Sequence, residues 1–195
     1  MEFTVNNTPF SDALALRATA SVFDAQRRKL PGPGDLHRSP DSVAIAKQIS
    51  ELGQLITDLG DEILFRAAAQ DQEAHAGRVI ISFAAAVQPA GEAASALGAV
   101  AHQLSFLHQT EHLRNQPAAR DAREAAAGVM DDALGVADTA LGEAADSLHA
   151  ASATVSPPAV RLQAARRRST TATPAPPPAD APAIAVAPAR TTRSR

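Results

Sequence analysis

His108, Glu111 and His112 are the residues of this chain whose types and spacing best suit chemistry. On a helix, imidazoles four positions apart share a face, so both can reach one zinc ion. Glu111 would then serve as general base toward a metal-bound water. A catalytic zinc takes three protein ligands, and the last Glu after this pair is Glu143. One expectation is therefore a metal-dependent hydrolase with zinc held by His108 and His112. The competing expectation is a polar helix end, where His complements the negative end of the helix dipole. Adjacent carboxylates such as Asp61-Glu62 and Asp131-Asp132 point in different directions on a helix and read as solvated faces. No residue is assigned a catalytic role on sequence alone.

His108-Gln109-Thr110-Glu111-His112 resembles the H-x-x-E-H zinc motif of the inverzincin metalloproteases. The resemblance covers these five residues and implies a zinc ligand supplied by a Glu far downstream. Ala101-His102-Gln103-Leu104 resembles the start of the A-H-x-L-K-G motif of histidine phosphotransfer domains, which are four-helix bundles. Ser105-Phe106 stand where that motif has Lys-Gly. Glu111-His112-Leu113-Arg114-Asn115 is similar to the phosphoacceptor box of sensor kinases, but residue order and the spacing to Pro117 differ. Phosphate loops of the G-x-x-x-x-G-K-[ST] and G-x-G-x-x-G types and a G-x-S-x-G nucleophile elbow do not occur.

Helices must position these residues. Ser11, preceded by Phe10, suits an N-cap, and Leu14, Ala18, Val22 and Ala25 recur at helical spacing up to Arg27-Arg28-Lys29. Pro31-Gly32-Pro33-Gly34 ends that element, and Ser39-Pro40 opens the next. There Ile45, Ile49, Leu52, Ile56, Leu59 and Ile63 alternate spacings of four and three, an apolar seam of coiled-coil type. The spacing predicts a helix over 40–88, interrupted by Pro89 and Gly91, with a bend favoured at the polar patch Gln70-Asp71-Gln72-Glu73. A third helix is expected over 91–115, ended by Asn115-Gln116-Pro117. A fourth is expected over 118–154, with the stripe Val129, Ala133, Val136, Ala140, Ala144 and a neighbouring line Leu134, Leu141, Leu148. Leu-Gly recurs at 52–53, 59–60, 97–98, 134–135 and 141–142. Glycine costs about 1 kcal/mol in a helix interior relative to Ala, which suggests close helix approach at these sites.

Alanine supplies 46 of the 195 residues, and Leu, Ile, Val, Met and Phe together supply 42. Aromatics make up 3%, which argues against a β-sandwich and against base-stacking nucleic-acid modules. The absence of Cys excludes disulfides, thiolate metal sites and a Cys nucleophile. Residues 1–156 carry 20 acidic and 11 basic residues, whereas 157–195 carry seven Arg, one Asp and eight of the 14 prolines. The segment 156–195 is expected to be a disordered Pro/Ala/Arg-rich basic tail. Its Arg161, Arg166, Arg167 and Arg168 suit weak, salt-sensitive contact with a nucleic acid or an anionic surface. In composition the chain resembles Ala-rich helical proteins with basic Ala/Pro-rich tails, such as phasins that coat polyester granules and certain mycobacterial surface adhesins. That likeness implies only that exposed Ala/Leu faces suit an apolar surface.

The expected fold is all-α: an elongated antiparallel helical bundle or coiled coil over 11–155, between a flexible N-terminus (1–10) and the tail. The opening residues show no basic stretch followed by an apolar run, and the longest apolar runs are too short to span a bilayer. A cytoplasmic chain without a transmembrane segment is the expectation. The expected function is a non-enzymatic interaction or scaffold/adaptor module that meets a protein partner or forms a homo-oligomer through its helices. The Ile45–Ile63 seam would serve as core or as partner surface. No cofactor is expected beyond the zinc of the alternative reading.

Overall fold

The computed structural model describes residues 9–31, 40–68 and 76–156. Four α-helices follow in order: α1 (Pro9–Arg27), α2 (Ser42–Ala68), α3 (Ala76–Gln109) and α4 (Pro117–Val155). A single 3-10 turn, Glu111–Leu113, lies between α3 and α4. No strand occurs among the described residues. Cross-helix contacts fix the directions. Asp12 meets Arg66, while Gln26 meets Gln48 and Glu51, so α1 and α2 are antiparallel. Ala13 meets Ser152 and Arg27 meets Asp138, so α4 runs against α1. Arg123 meets Leu107, near the joined ends of α3 and α4. The helices form an antiparallel bundle in which α3 packs on α2 and α4, and α1 packs on α4.

Asp41 starts α2. Its Oδ1 accepts the Val43 N–H at 3.0 Å and its carbonyl accepts the Ile45 N–H at 3.0 Å, an acid on the positive end of the helix. The sequence pointed to Ser39-Pro40 for this role; Ser39 lies outside the described residues. Ser11 is likewise no cap, because α1 already begins at Pro9. The expected helix over 40–88 is divided: α2 ends at Ala68 and α3 begins at Ala76, with 69–75 outside the described residues. Pro89, expected to break the chain, sits inside α3. Proline removes one i→i−4 hydrogen bond, but Phe83, Ala86, Ala90, Ala93 and Leu97 are buried on one continuous face on both sides of it. Packing along the whole face outweighs one lost bond. The tail, with Arg161, Arg166, Arg167 and Arg168, and residues 1–8 lie outside the described residues.

The seam read in the sequence lines the interior. Ile45, Leu52 and Leu59 are buried, and Ile49, Ile56 and Ile63 pack against them half-buried. On α1 the buried row is Leu16, Ala20 and Phe23, not Leu14, Ala18 and Val22, which face out. On α4 the buried row is Ala137, Ala140, Leu141, Ala144 and Leu148, while Val129 and Val136 are about half exposed. On α1, two apolar rows are offset by a fraction of a turn and neighbouring helices select one of them, whereas the buried face of α4 draws on both of its lines.

The Leu-Gly pairs do not mark close approaches. A methyl group added at Gly53, Gly60, Gly98 or Gly135 meets nothing within 4 Å. Gly142 differs, because the Arg27 guanidinium lies 3.2 Å from where its Cβ would stand. That guanidinium holds Asp138 by two parallel bonds of 2.7 Å, Nε to Oδ1 and Nη2 to Oδ2, tying the end of α1 to α4.

Hydrogen bonding by Arg27 holds the Asp138 carboxyl below its ordinary range. Bonds from Lys29 and Gln26 do the same for Glu51, and a bond from Arg114 does so for Glu111. A carboxylate depressed in the folded state stabilises it above the unfolded value and loses that effect as pH falls through the folded value. Stability should therefore hold at neutral pH and decline below about pH 4. Thermal melts of Asp138→Asn should show a shallower decline over that acid range than the parent. Parallel declines would show that the Arg27–Asp138 pair takes no part.

Candidate interaction surface

The zinc reading places His108 and His112 one turn apart on a single continuous helix, whereas the segment changes from α-helix to a 3-10 turn between them. His108 lies in the last turn of α3, which ends at Gln109, while His112 belongs to the 3-10 turn. Glu111 is held by Arg114 Nη1 at 2.9 Å and Arg123 Nη2 at 2.8 Å. Those cations lower its basicity, which makes it a weaker general base. Arg123 Nη1 also donates to the Leu107 carbonyl at 2.7 Å, satisfying one of the free acceptors at the end of α3. The H-x-x-E-H segment is thus built into a helix terminus and its ion pairs. No set of three or more His, Asp or Glu side chains positioned for a metal occurs among the described residues. His102, the candidate phosphoacceptor, is exposed on α3 with Gln103 beside it.

A cluster the sequence reading missed lies where α1, α2 and α3 meet. Arg66, 5% exposed, donates through Nη1 to Asp12 and through Nε to Glu62 at 2.6 Å. Its Cζ stands 5.3 Å from the centre of the Phe83 ring, on the face where a cation is attracted. Burial opposes the charge, yet the bonds from Asp12 and Glu62 outweigh it and raise the guanidinium above its ordinary value. The signal was an arginine inside the run Ile63-Leu64-Phe65-Arg66-Ala67. At the far end of the same helix pair, Gln48 Nε2 donates to the Gln26 carbonyl at 2.8 Å, and Gln26 Nε2 donates to Glu51 at 3.0 Å. Lys29 also reaches Glu51.

Between these two polar fastenings a groove of about 340 Å³ opens along α1 and α2. Ala18 and Val22 form part of one wall, Asp58 and Glu62 part of the other, and Phe83 closes the floor. A second groove, about 610 Å³, lies by the end of α1, where Arg27 and Arg28 face Asp131, Asp132 and Asp138; its charges largely compensate one another.

Much apolar surface remains open. Leu64, Phe65 and Ile81 are 69%, 57% and 68% exposed, at the end of the bundle where α2 gives way to α3. Phe10, Leu14 and Val22 remain open on α1. By length and composition, α3 is the one helix among the described residues apolar enough to cross a membrane, with a mean hydropathy of 1.2 in its best window over Gly77–Gln109. The expectation of no transmembrane segment rested on the shortness of the uninterrupted apolar runs, whereas α3 reaches this threshold as a long, alanine-rich helix of mixed composition. A third of that window is buried within the bundle. Comparison of the chain with protein-family models, curated proteins and solved structures gave no match.

Proposed function

We propose that this chain is a non-enzymatic helical interaction module, a scaffold or adaptor that associates through the apolar patch of Leu64, Phe65 and Ile81. The observation that supports the reading is their exposure, 57–69%, on two successive helices at one end of the bundle. Large aliphatic and aromatic side chains left open to solvent suit a contact surface. The Ile45–Ile63 seam contributes Ile45, Leu52 and Leu59 to the interior, with Ile49, Ile56 and Ile63 half-buried beside them. The first partner to consider is a second copy of the chain. A cytoplasmic setting, and salt-sensitive contact of the arginine-rich tail with polyanions, belong to the same proposal.

Sedimentation velocity tests it. The full chain should associate in the micromolar range, and Phe65→Asp/Ile81→Asp should remain monomeric with an unchanged far-ultraviolet circular dichroism spectrum, since both side chains are already largely solvated. A parent chain that stays monomeric at 100 μM would overturn the self-association reading.

A further inference from the structure

The end of α4 sits at a defined place on α1. Ser152 Oγ donates to the Ala13 carbonyl at 2.7 Å, and Ser156, one turn later, donates through Oγ to the Ser152 carbonyl at 2.7 Å. Because α4 runs against α1, Ser156 lies level with the first residues of α1. Its φ of −57° and ψ of 133° direct the chain out of the helix, as the following Pro157 requires. The described part of α4 therefore ends beside the start of α1, near Phe10.

From that point an apolar ridge crosses the outer face of α1. Phe10, Leu14, Ala18 and Val22 follow one another at intervals of four, and all four are exposed. In a helix of 3.6 residues per turn, each such step rotates the ridge by about 40°. Its first member lies toward the α4 side of α1, and its last two, Ala18 and Val22, are walls of the α1–α2 groove. The groove is acidic. Its lining carries Asp58 and Glu62 and no basic side chain; Asp58 accepts from the Gln54 amide at 2.8 Å, and Glu62 accepts from Arg66 Nε at 2.6 Å. Beyond Ser156, the sequence supplies Val160 and Leu162 as apolar anchors, with Arg161, Arg166, Arg167 and Arg168 around them. Phe10 to Val22 spans about 18 Å along the helix. The ten residues from Ser156 to Arg166 can span up to about 33 Å, enough for the arginine triplet to reach the acidic wall.

We propose that residues 157–168 dock in cis across the ridge Phe10–Leu14–Ala18–Val22, with the arginines at the Asp58–Glu62 wall of the α1–α2 groove. This goes beyond the interaction reading above and does not depend on it, because the ridge and the Leu64–Phe65–Ile81 patch are different surfaces. Docking covers apolar area that α1 otherwise leaves open and neutralises the groove.

Trypsin cleavage of the full chain tests the proposal. Cleavage after Arg168 should be at least tenfold slower in the folded chain than in a free synthetic peptide of residues 157–195, whereas cleavage after Arg190 should proceed equally in both. The protection should be independent of protein concentration and lost in Leu14→Asp/Val22→Asp, whose thermal melt should match the parent because both positions are exposed. A separate variant, Asp58→Asn/Glu62→Gln, should weaken it. Equal rates in chain and peptide would overturn the proposal, and so would protection that survives Leu14→Asp/Val22→Asp. Protection lost on dilution would overturn docking in cis, placing the segment on a second copy instead.

Discussion

Replacing Arg66 by Ala should destabilise the bundle by about 3–5 kcal/mol, the typical cost of breaking a buried ion pair from one side. Arg66 is 5% exposed and Asp12 is 1% exposed. Without the guanidinium, the Asp12 carboxylate loses its cation in a site closed to solvent, and the Phe83 ring loses the charge over its face. Arg66→Met provides the contrast. Paired with Asp12→Leu, it removes both charges and keeps apolar volume in the site, an exchange that is often neutral or stabilising. Urea denaturation followed by circular dichroism should therefore rank Arg66→Ala far below the parent and place the double variant near or above it. A double variant as unstable as Arg66→Ala would show that the cluster contributes more than compensated charge. The cluster joins three helices, so its value lies in register: Arg66 meets Asp12 only when α1 and α2 are aligned as they are here.

Changing Gly53, Gly60, Gly98 and Gly135 together to Ala should have an effect of similar size and opposite sign. Each lies inside a helix, and an added methyl meets nothing within 4 Å. Each replacement removes backbone freedom from the unfolded chain and contributes about 0.8–1 kcal/mol. The four sites are well separated along the helices, so the gains should add to about 3–4 kcal/mol. In a chain of this size that raises the melting midpoint by roughly 10 °C. A lowered midpoint would mean that another surface approaches these glycines in the native protein. Gly142 is left out, because the Arg27 guanidinium already occupies the space beside it.

The parts of the fold that could be read in advance share a physical reason. On α2 the row Ile45 through Ile63 lies across the helix from Lys47, Ser50, Gln54, Thr57, Asp58 and Asp61, so along this stretch only one orientation buries enough apolar area. On α1 the row Leu14, Ala18, Val22 and the row Leu16, Ala20, Phe23 both fit a helix. The choice depends on neighbours, and it falls on the row containing Phe23, fully buried. On α4 the expected rows are buried at Ala140, Leu141, Ala144 and Leu148, whereas Val129 and Val136 are about half exposed. Pro89 misled because proline is costly to a helix locally, whereas the compensating burial is spread over the helices packed against it. The H-x-x-E-H spacing presupposed an unbroken helix, and the turn at Glu111–Leu113 removed that premise. Arg66 and Asp12 lie 54 positions apart, and no local pattern joins them.

Ala86, Ala90 and Ala93 of α3 and Ala137, Ala140, Ala144 and Ala145 of α4 are all buried, at 3% exposure or less. The chain's 46 alanines therefore do not carry equal information. Those inside act as spacers of fixed thickness that set how near two backbones come, and exchange for Val or Leu would push the helices apart. Those on the outer face, such as Ala84, Ala85 and Ala125, are free to drift to Glu, Lys or Gln. Under selection a sequence of this kind should diverge quickly in identity while the separation of its helices stays constant. Kinship among such chains would be traced more reliably by the rhythm of small residues than by the letters themselves.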